Sequence, residues 1–220
     1  MISKTLYLAG RVLIGGYAKL MLKMDVDWQD ELPKGPVLFA ANHPSTTDPI
    51  LIHLISSKPM SVMITSKVFS IPVLGAYMRK MRQISVVPGQ GERVLDEAHH
   101  ALNSGRSVAI FPEGLISPVD GFHAPRSGVA RLALKSGVPV VPLGIFLSNK
   151  GCKRIPTILE GEPDIVTWYL RGPYAITLGK PLHFSGDAND ASLVKRVAET
   201  VMEHIRALAR ESQRRVGETA

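Results

Sequence analysis

The chain has 220 residues, of which 45% are hydrophobic, and this length and apolar content suit one large globular domain. The formal net charge of +7 indicates an anionic partner, but few aromatic residues (6%) and no basic run interleaved with them argue against nucleic acid. The single cysteine, Cys152, excludes an internal disulfide and a zinc cluster.

Residues 2–24 predict an amphipathic helix. At 100° per residue its basic side chains lie within about 120° of one face, and the opposite face is apolar. A basic residue near the middle interrupts the apolar run, which argues against a membrane span. Two interpretations remain open, a helix lying on an anionic membrane and a helix packed on the domain. We divide the chain into a membrane-associating helix, 1–24, and a domain, 25–220. The basic residues of the helix are Lys4, Arg11, Lys19 and Lys23.

Strand and helix patterns alternate along the rest of the chain, which predicts one α/β domain with a mostly parallel or mixed central sheet flanked by helices. Ligands of such sheets bind beyond the carboxyl ends of the strands. Polar or glycine-bearing turns at 42–48, 112–114 and 142–144 follow or end predicted strands, so we expect one site there. The predicted strands are 24–28, 37–41, 60–65, 84–87, 107–111, 138–146 and 175–178. The predicted helices are 50–56, 92–103, 129–135 and 191–210.

His43 and Asp48 lie in one short polar loop directly after a predicted buried strand. An imidazole has a reference pKa near 6.5 and can accept a proton at neutral pH. A carboxylate can orient the ring and stabilise the imidazolium, so the pair is a Ser-His-Asp relay without the serine. The nucleophile is then a substrate hydroxyl. The alternative for Asp48, which precedes Pro49, is a helix N-cap.

Three segments resemble the glycerolipid acyltransferase family, the family of 1-acylglycerol-3-phosphate acyltransferase. Residues 42–48, Asn-His followed after four residues by Asp, resemble its first signature. Residues 111–114 (Phe-Pro-Glu-Gly) resemble the third, and 138–144 resemble the fourth. The signatures occur in family order over about residues 24–146, which makes the combined signal far more specific than a His–Asp pair alone.

The resemblance implies roles for individual residues. His43 would deprotonate a hydroxyl that attacks the thioester of acyl-CoA or acyl-carrier protein, while Asp48 orients and polarises the histidine. Asn42, Glu113 and Gly114 are expected to bind substrate, the last two holding the acceptor. For Glu113 the alternative is a solvated loop carboxylate. No metal and no cofactor beyond the donor substrate are expected.

The sequence departs from the family at two positions. Ile116 and Pro88 stand where related enzymes acting on glycerol phosphates carry arginines that bind phosphate bidentately. Either other cations replace this clamp, or the acceptor has no phosphate, as in a lipid amino acid or glycolipid. We favour an acceptor other than lysophosphatidic acid. Simple solvent exposure is the alternative role for each candidate cation: Arg79, Lys80, Arg82, Arg93 and Arg126.

The sequence therefore predicts an acyltransferase at the cytoplasmic face of a membrane, moving a fatty acyl group from a thioester to a hydroxyl of a lipid-like acceptor. Its expected partners are the donor, the acceptor, an anionic membrane surface and an acyl-carrier protein. Backbone N–H groups at 142–144 are candidate oxyanion donors. Two alternatives remain: an acyl-thioester hydrolase, in which water replaces the acceptor, and a non-catalytic lipid-binding protein on the same fold.

Overall fold

A computed structural model describes residues 4–159 and 162–217 of the chain. The strands are β1 Asp25–Trp28, β2 Leu38–Ala41, β3 Ser61–Thr65, β4 Ile84–Val86, β5 Val108–Ile110, β6 Val140–Leu147, β7 Cys152–Leu159, β8 Glu162–Tyr169 and β9 Tyr174–Leu178. The helices are α1 Lys4–Met21, α2 Asp48–Leu51, α3 Ser66–Ser70, α4 Leu74–Lys80, α5 Gly91–Asn103, α6 Gly128–Ser136 and α7 Ala191–Arg215, with 3₁₀ turns at Ile52–Ile55 and Asn149–Gly151.

Seven strands form one sheet in the order β1-β9-β6-β2-β5-β3-β4. All neighbours are parallel except β6 and β9, and β7 and β8 form a separate antiparallel hairpin. The predicted α/β class with a mostly parallel central sheet is confirmed. Because β2, β5 and β6 run in the same direction, the loops that follow β2 and β5 leave the sheet at one edge.

Helices cover both faces of the sheet, and strand β2 shows this directly. Leu38 and Ala40 pack into the core beneath α5, α6 and α7, whereas Phe39 and Ala41 pack into the core that includes α1 and α2. All four side chains are buried. A continuously apolar strand is the pattern expected when both faces are covered.

Helix α1 packs one face onto the domain. Ala18, within the helix, and Leu22, just after it, are buried in the core. The Arg11 guanidinium donates to the carbonyls of His53 (2.6 Å), Leu54 (3.1 Å) and Ser56. The helical spacing predicted that Arg11 lies on one basic face with the lysines. In the structure Arg11 instead points toward the domain. The outward face is largely apolar, and its membrane role stays a prediction. Its most exposed large side chains are Leu8, Val12, Leu13 and Leu20.

Within the described ranges, no helix has an apolar stretch of sufficient length to span a bilayer.

Three predicted elements need correction. Residues 142–144 are not a turn but lie inside β6, where the strand pairs with β2 and β9, so the oxyanion donors predicted there lose their basis. The predicted helix 50–56 is a short α-helix continued by a 3₁₀ turn. The terminal helix extends beyond residue 210 because Arg215 forms an ion pair with Asp25 (2.8 Å) and donates to the Ile176 carbonyl (3.1 Å).

The hairpin β7–β8 was not predicted at all. Its second strand carries Ile165-Val166-Thr167-Trp168-Tyr169, a run of good strand formers that was the available signal.

The environment of His53, which lies beneath α1, leads us to expect that the protein loses stability at acid pH. Burial, followed by the charges of Arg106 and Arg11, lowers the pKa of His53 to about 4. Between about pH 6.5 and about pH 4 the unfolded chain therefore binds more protons than the folded chain, so stability falls as the pH is lowered. Over this range we expect wild type to lose roughly 3 kcal/mol more unfolding free energy than His53→Gln, as measured by urea denaturation.

The exposed His100 on α5 provides the control for this experiment. The His100→Gln variant should keep the full pH dependence of wild type. Equal acid sensitivity of wild type and His53→Gln would contradict the assignment.

Candidate active site

A histidine–carboxylate pair lies at the carboxyl edge of the sheet. His43 follows β2, and its Nδ1 is 2.9 Å from Oδ2 of Asp48. The imidazole stacks on the ring of Phe111, with centroids 4.1 Å apart, and its side chain is 16% exposed. Asp48 is fully buried. Because Nδ1 is bonded to the carboxylate, Nε2 is the ring nitrogen available to accept a proton.

Asp48 is held by two further donors. The backbone N–H of Ser45 donates to Oδ2 (2.8 Å), and the Tyr174 hydroxyl donates to Oδ1 (2.8 Å). The prediction that Asp48 is the N-cap of the following helix is wrong, because Thr47 occupies that position and Asp48 is already helical. The buried carboxylate thus supports the histidine and does not cap a helix.

Asn42 positions the start of the loop that carries His43 and Asp48. Its side-chain amide donates to the Ile145 carbonyl (2.9 Å) and accepts from the Ile145 N–H (2.7 Å), so it extends the pairing between β2 and β6. Both polar atoms of this amide are bonded to backbone. Its predicted role in substrate binding stays a prediction.

Glu113 is buried, which rules out a solvated loop carboxylate. One oxygen accepts from the Ser117 hydroxyl (2.5 Å) and from the His43 N–H (3.4 Å), and the other accepts from the His123 N–H (2.6 Å). Ser117 also exchanges bonds with the His43 backbone: its hydroxyl accepts at 3.0 Å and its N–H donates at 2.8 Å. Glu113 therefore ties the loop that follows β5 to the backbone of His43, an arrangement that the sequence did not indicate.

Gly114 and Arg126 lie together beside Glu113. Gly114 has φ 69°, and a Cβ at this position would overlap the Arg126 side chain, with Nε at 2.6 Å. The Arg126 guanidinium thus crosses the glycine while the residue as a whole remains exposed. Of the candidate cations, Arg126 is the one that the structure brings next to Glu113.

The structure does not bring Arg82 to the site. Arg82 lies two residues before β4, which is parallel to β3 and, through β3 and β5, to β2. It therefore lies at the amino edge of the sheet, opposite to His43. Arg79 is exposed and donates to the Phe69 carbonyl (2.9 Å) at the turn between α3 and α4.

The hairpin β7–β8 is anchored through Thr167 to the loop that carries His43 and Asp48. The Thr46 N–H donates to the Thr167 carbonyl (2.8 Å), and the Thr167 N–H donates to the Thr46 hydroxyl (3.0 Å). The Ser45 hydroxyl also donates to the Thr167 carbonyl (2.9 Å). Strand β8 therefore holds the loop between His43 and Asp48 in place.

A mostly parallel α/β sheet with a His–Asp pair in the loop after a central strand is an arrangement that can present a general base at the carboxyl edge of the sheet. The sequence model of the Acyltransferase family matches residues 23–146. The chain belongs to this family.

Two relatives and one solved structure show the extent of the similarity. The chain is 26% identical over 188 residues to a lyso-ornithine lipid O-acyltransferase from Pseudomonas aeruginosa, covering 82% of this chain and 72% of the relative. It is 33% identical over 171 residues to a chloroplastic 1-acyl-sn-glycerol-3-phosphate acyltransferase from Brassica napus, covering 74% of this chain and 46% of the relative. The crystal structure of the 1-acyl-sn-glycerophosphate acyltransferase PlsC from Thermotoga maritima has the same fold, with TM-score 0.66, 20% identity, and coverage of 96% and 81% of the two chains.

Proposed function

We propose that the protein transfers a fatty acyl group from an acyl thioester to a hydroxyl of a lyso-lipid. The observation that carries the proposal is the His43 Nδ1–Asp48 Oδ2 hydrogen bond of 2.9 Å at the carboxyl edge of the sheet. Family membership supports the reaction type. Among the residues that the structure describes, no serine hydroxyl is hydrogen-bonded to the His43 ring, which is consistent with a substrate hydroxyl as the nucleophile.

The reaction needs one proton to move twice. Nε2 of His43 accepts the proton of the acceptor hydroxyl as its oxygen forms a bond to the thioester carbonyl carbon. Asp48 stabilises the resulting imidazolium through Nδ1–H. The tetrahedral intermediate then expels the thiolate, which takes the proton from Nε2. The products are the acylated lipid and a free thiol, and the histidine returns to its starting form.

The proposed donor is acyl-CoA or acyl-carrier protein, both of which present a thioester that is already activated. Positioning and a base then suffice for transfer. The net charge of +7 favours a phosphate-bearing donor and an anionic membrane. Because these donors are cytoplasmic molecules, the proposed location is the cytoplasmic face of the membrane.

The proposed acceptor is a lyso-lipid other than lysophosphatidic acid. Ile116 and Pro88 replace the arginines that would clamp a phosphate, and the structure places Arg82 at the far edge of the sheet. Arg126 remains beside Gly114 as a cation for an acidic headgroup. The relative named as a lyso-ornithine lipid O-acyltransferase, which this chain covers over 72% of its length, supports an acceptor of the lipid amino acid class.

A panel of detergent-solubilised acceptors tests this proposal. Wild type is given one acyl thioester with lysophosphatidic acid, a lysophospholipid, a lyso-ornithine lipid and a lyso-glycolipid, and each product is scored by mass. We expect the highest yield with the lyso-ornithine lipid. Preferential acylation of lysophosphatidic acid would contradict the proposed acceptor and would mean that another cation replaces the clamp.

We further propose that the outward face of α1 lies on the membrane. Leu13 is 75% and Leu20 79% exposed, and the basic residues Lys19, within α1, and Lys23, just after it, are also exposed. Apolar side chains flanked by lysines fit the interface of an anionic bilayer. The inner face of α1 remains packed on the domain in this arrangement.

The double variant Leu13→Asp/Leu20→Asp tests this membrane contact. Each leucine removed from the interface weakens membrane binding by about 1.5 to 3 kcal/mol. We therefore expect co-sedimentation with anionic vesicles to be lost. A control variant, Asn103→Asp/Ser104→Asp, adds the same two charges at exposed positions at the end of α5, on the face of the sheet opposite to α1, and should leave co-sedimentation unchanged. Undiminished binding of the α1 variant would contradict the proposal.

A further inference from the structure

Tyr174 is a buried polar residue that contacts the catalytic pair from a distant part of the chain. Its hydroxyl donates to Oδ1 of Asp48 (2.8 Å) across 126 residues of sequence, and the whole residue is buried. It lies at the start of β9, outside the family signatures. Nothing in the local sequence around Tyr174 indicates a role in the site.

We propose that Tyr174 is a positioning residue that holds the Asp48 carboxylate in the orientation required by His43. This inference rests on the proposed function. Oδ2 of Asp48 accepts from both Ser45 and His43, so its orientation depends on a donor that holds the other oxygen. Tyr174 provides that donor. Without it, a buried carboxylate oxygen is left unpaired, and the carboxylate can rotate away from Nδ1.

The chemistry of the phenol suits this role. Burial, together with the charge of Asp48 and the hydrogen bond to it, raises the pKa of Tyr174 well above its ordinary value. The hydroxyl therefore keeps its proton and remains a donor over the working pH range. A donor to a charged, buried acceptor forms one of the stronger classes of hydrogen bond.

Helix α1 contributes to the position of Tyr174. The Tyr174 N–H donates to the carbonyl of Leu22 (2.9 Å), and the Gly172 N–H donates to the carbonyl of Met21 (3.1 Å), both at the end of α1. The first residue of β9 is thus attached to the helix whose outer face is proposed to contact lipid. Tyr174 is thus hydrogen-bonded both to the end of α1, through its backbone N–H, and to Asp48, through its hydroxyl.

The test is Tyr174→Phe, which removes the hydroxyl and keeps the ring. We expect kcat with the best acceptor of the panel to fall roughly 10- to 100-fold, the effect of one bond to a buried charge, while KM stays unchanged. Tyr169→Phe is the matched control. Tyr169 is also fully buried and packs 6.4 Å from the Tyr174 ring, but its hydroxyl donates to the Pro173 carbonyl (2.8 Å) and not to Asp48.

A second measurement does not depend on turnover. In protein labelled with ¹⁵N-histidine, the Nδ1–H resonance of His43, assigned by its loss in His43→Ala, should shift in Tyr174→Phe and remain in place in Tyr169→Phe. An unchanged resonance and unchanged kcat in Tyr174→Phe would overturn the inference, as would equal losses of kcat in both variants. Neither result would affect the proposed function, which is tested separately by the turnover of His43→Ala and by the dependence of wild-type thiol release on an acceptor.

Discussion

Replacing His43 with alanine is expected to lower turnover by roughly 10³- to 10⁴-fold, because the proposed base for the acceptor hydroxyl is lost. KM for the acceptor should change little, since the imidazole contributes to the transition state more than to ground-state binding. The measurement is the steady-state rate of thiol release from an acyl thioester in the presence of acceptor.

The exposed His100 on α5 is the control for this substitution, and His100→Ala should retain wild-type turnover. Asp48→Asn provides a second comparison, because the amide keeps the shape of the carboxylate but cannot stabilise the imidazolium. We expect it to lose roughly 10²- to 10⁴-fold. Wild-type turnover in His43→Ala would contradict the general-base assignment. Absence of turnover in wild type itself would favour a non-catalytic lipid-binding protein.

Gly144→Ala is expected to destabilise the fold by about 3 kcal/mol or more, the upper range for overpacking a core. Gly144 lies in β6 where α7 crosses the sheet, and an added Cβ would overlap the backbone of Leu208 and Ala209. Backbone atoms cannot move aside as a flexible side chain can. The Ser212 hydroxyl also donates to the Gly144 carbonyl (2.8 Å), so a displaced α7 would break this bond as well.

Urea denaturation of the purified protein measures this effect. Gly16→Ala is the control, because Gly16 is exposed within α1 and a Cβ there meets nothing within 4 Å. The control should stabilise the protein by roughly 0.5 to 1 kcal/mol through the helical preference of alanine. A Gly144→Ala variant as stable as wild type would show that α7 and β6 are less closely packed than described.

The part of the site that could be predicted from sequence is the part encoded locally. His43 and Asp48 are five residues apart in one loop, so their spacing and their place after an apolar strand indicate the pair directly. The alternation of strands and helices likewise predicts the sheet. These signals depend on neighbouring residues and need no knowledge of the packed structure.

The contacts that hold the pair are long-range, and the sequence does not reveal them. Tyr174 reaches Asp48 across 126 residues, and Thr167 reaches Ser45 across 122. For Arg82 the sequence instead suggested a role that the structure does not support, because its basic side chain was a candidate substitute for the phosphate clamp. The direction of β4 sends it to the other edge of the sheet, and strand direction is a property of the assembled topology.

Glu113 shows a third case, in which the residue is recognised but its environment is not. A carboxylate in a loop signature suggests a group that faces a substrate. In the structure it is buried and accepts bonds from Ser117, His123 and the His43 backbone. The hydroxyl of Ser117 is a small and common group, and its spacing from Glu113 carries no recognisable signal.

The measurement that tests the central claim most directly is thiol release from an acyl thioester by wild type and His43→Ala, with and without a lyso-lipid acceptor. For wild type we expect acceptor-dependent thiol release, matched one to one by acylated lipid, and for His43→Ala we expect neither product. Equal thiol release without acceptor, accompanied by free fatty acid, would contradict acyl transfer and identify a thioester hydrolase.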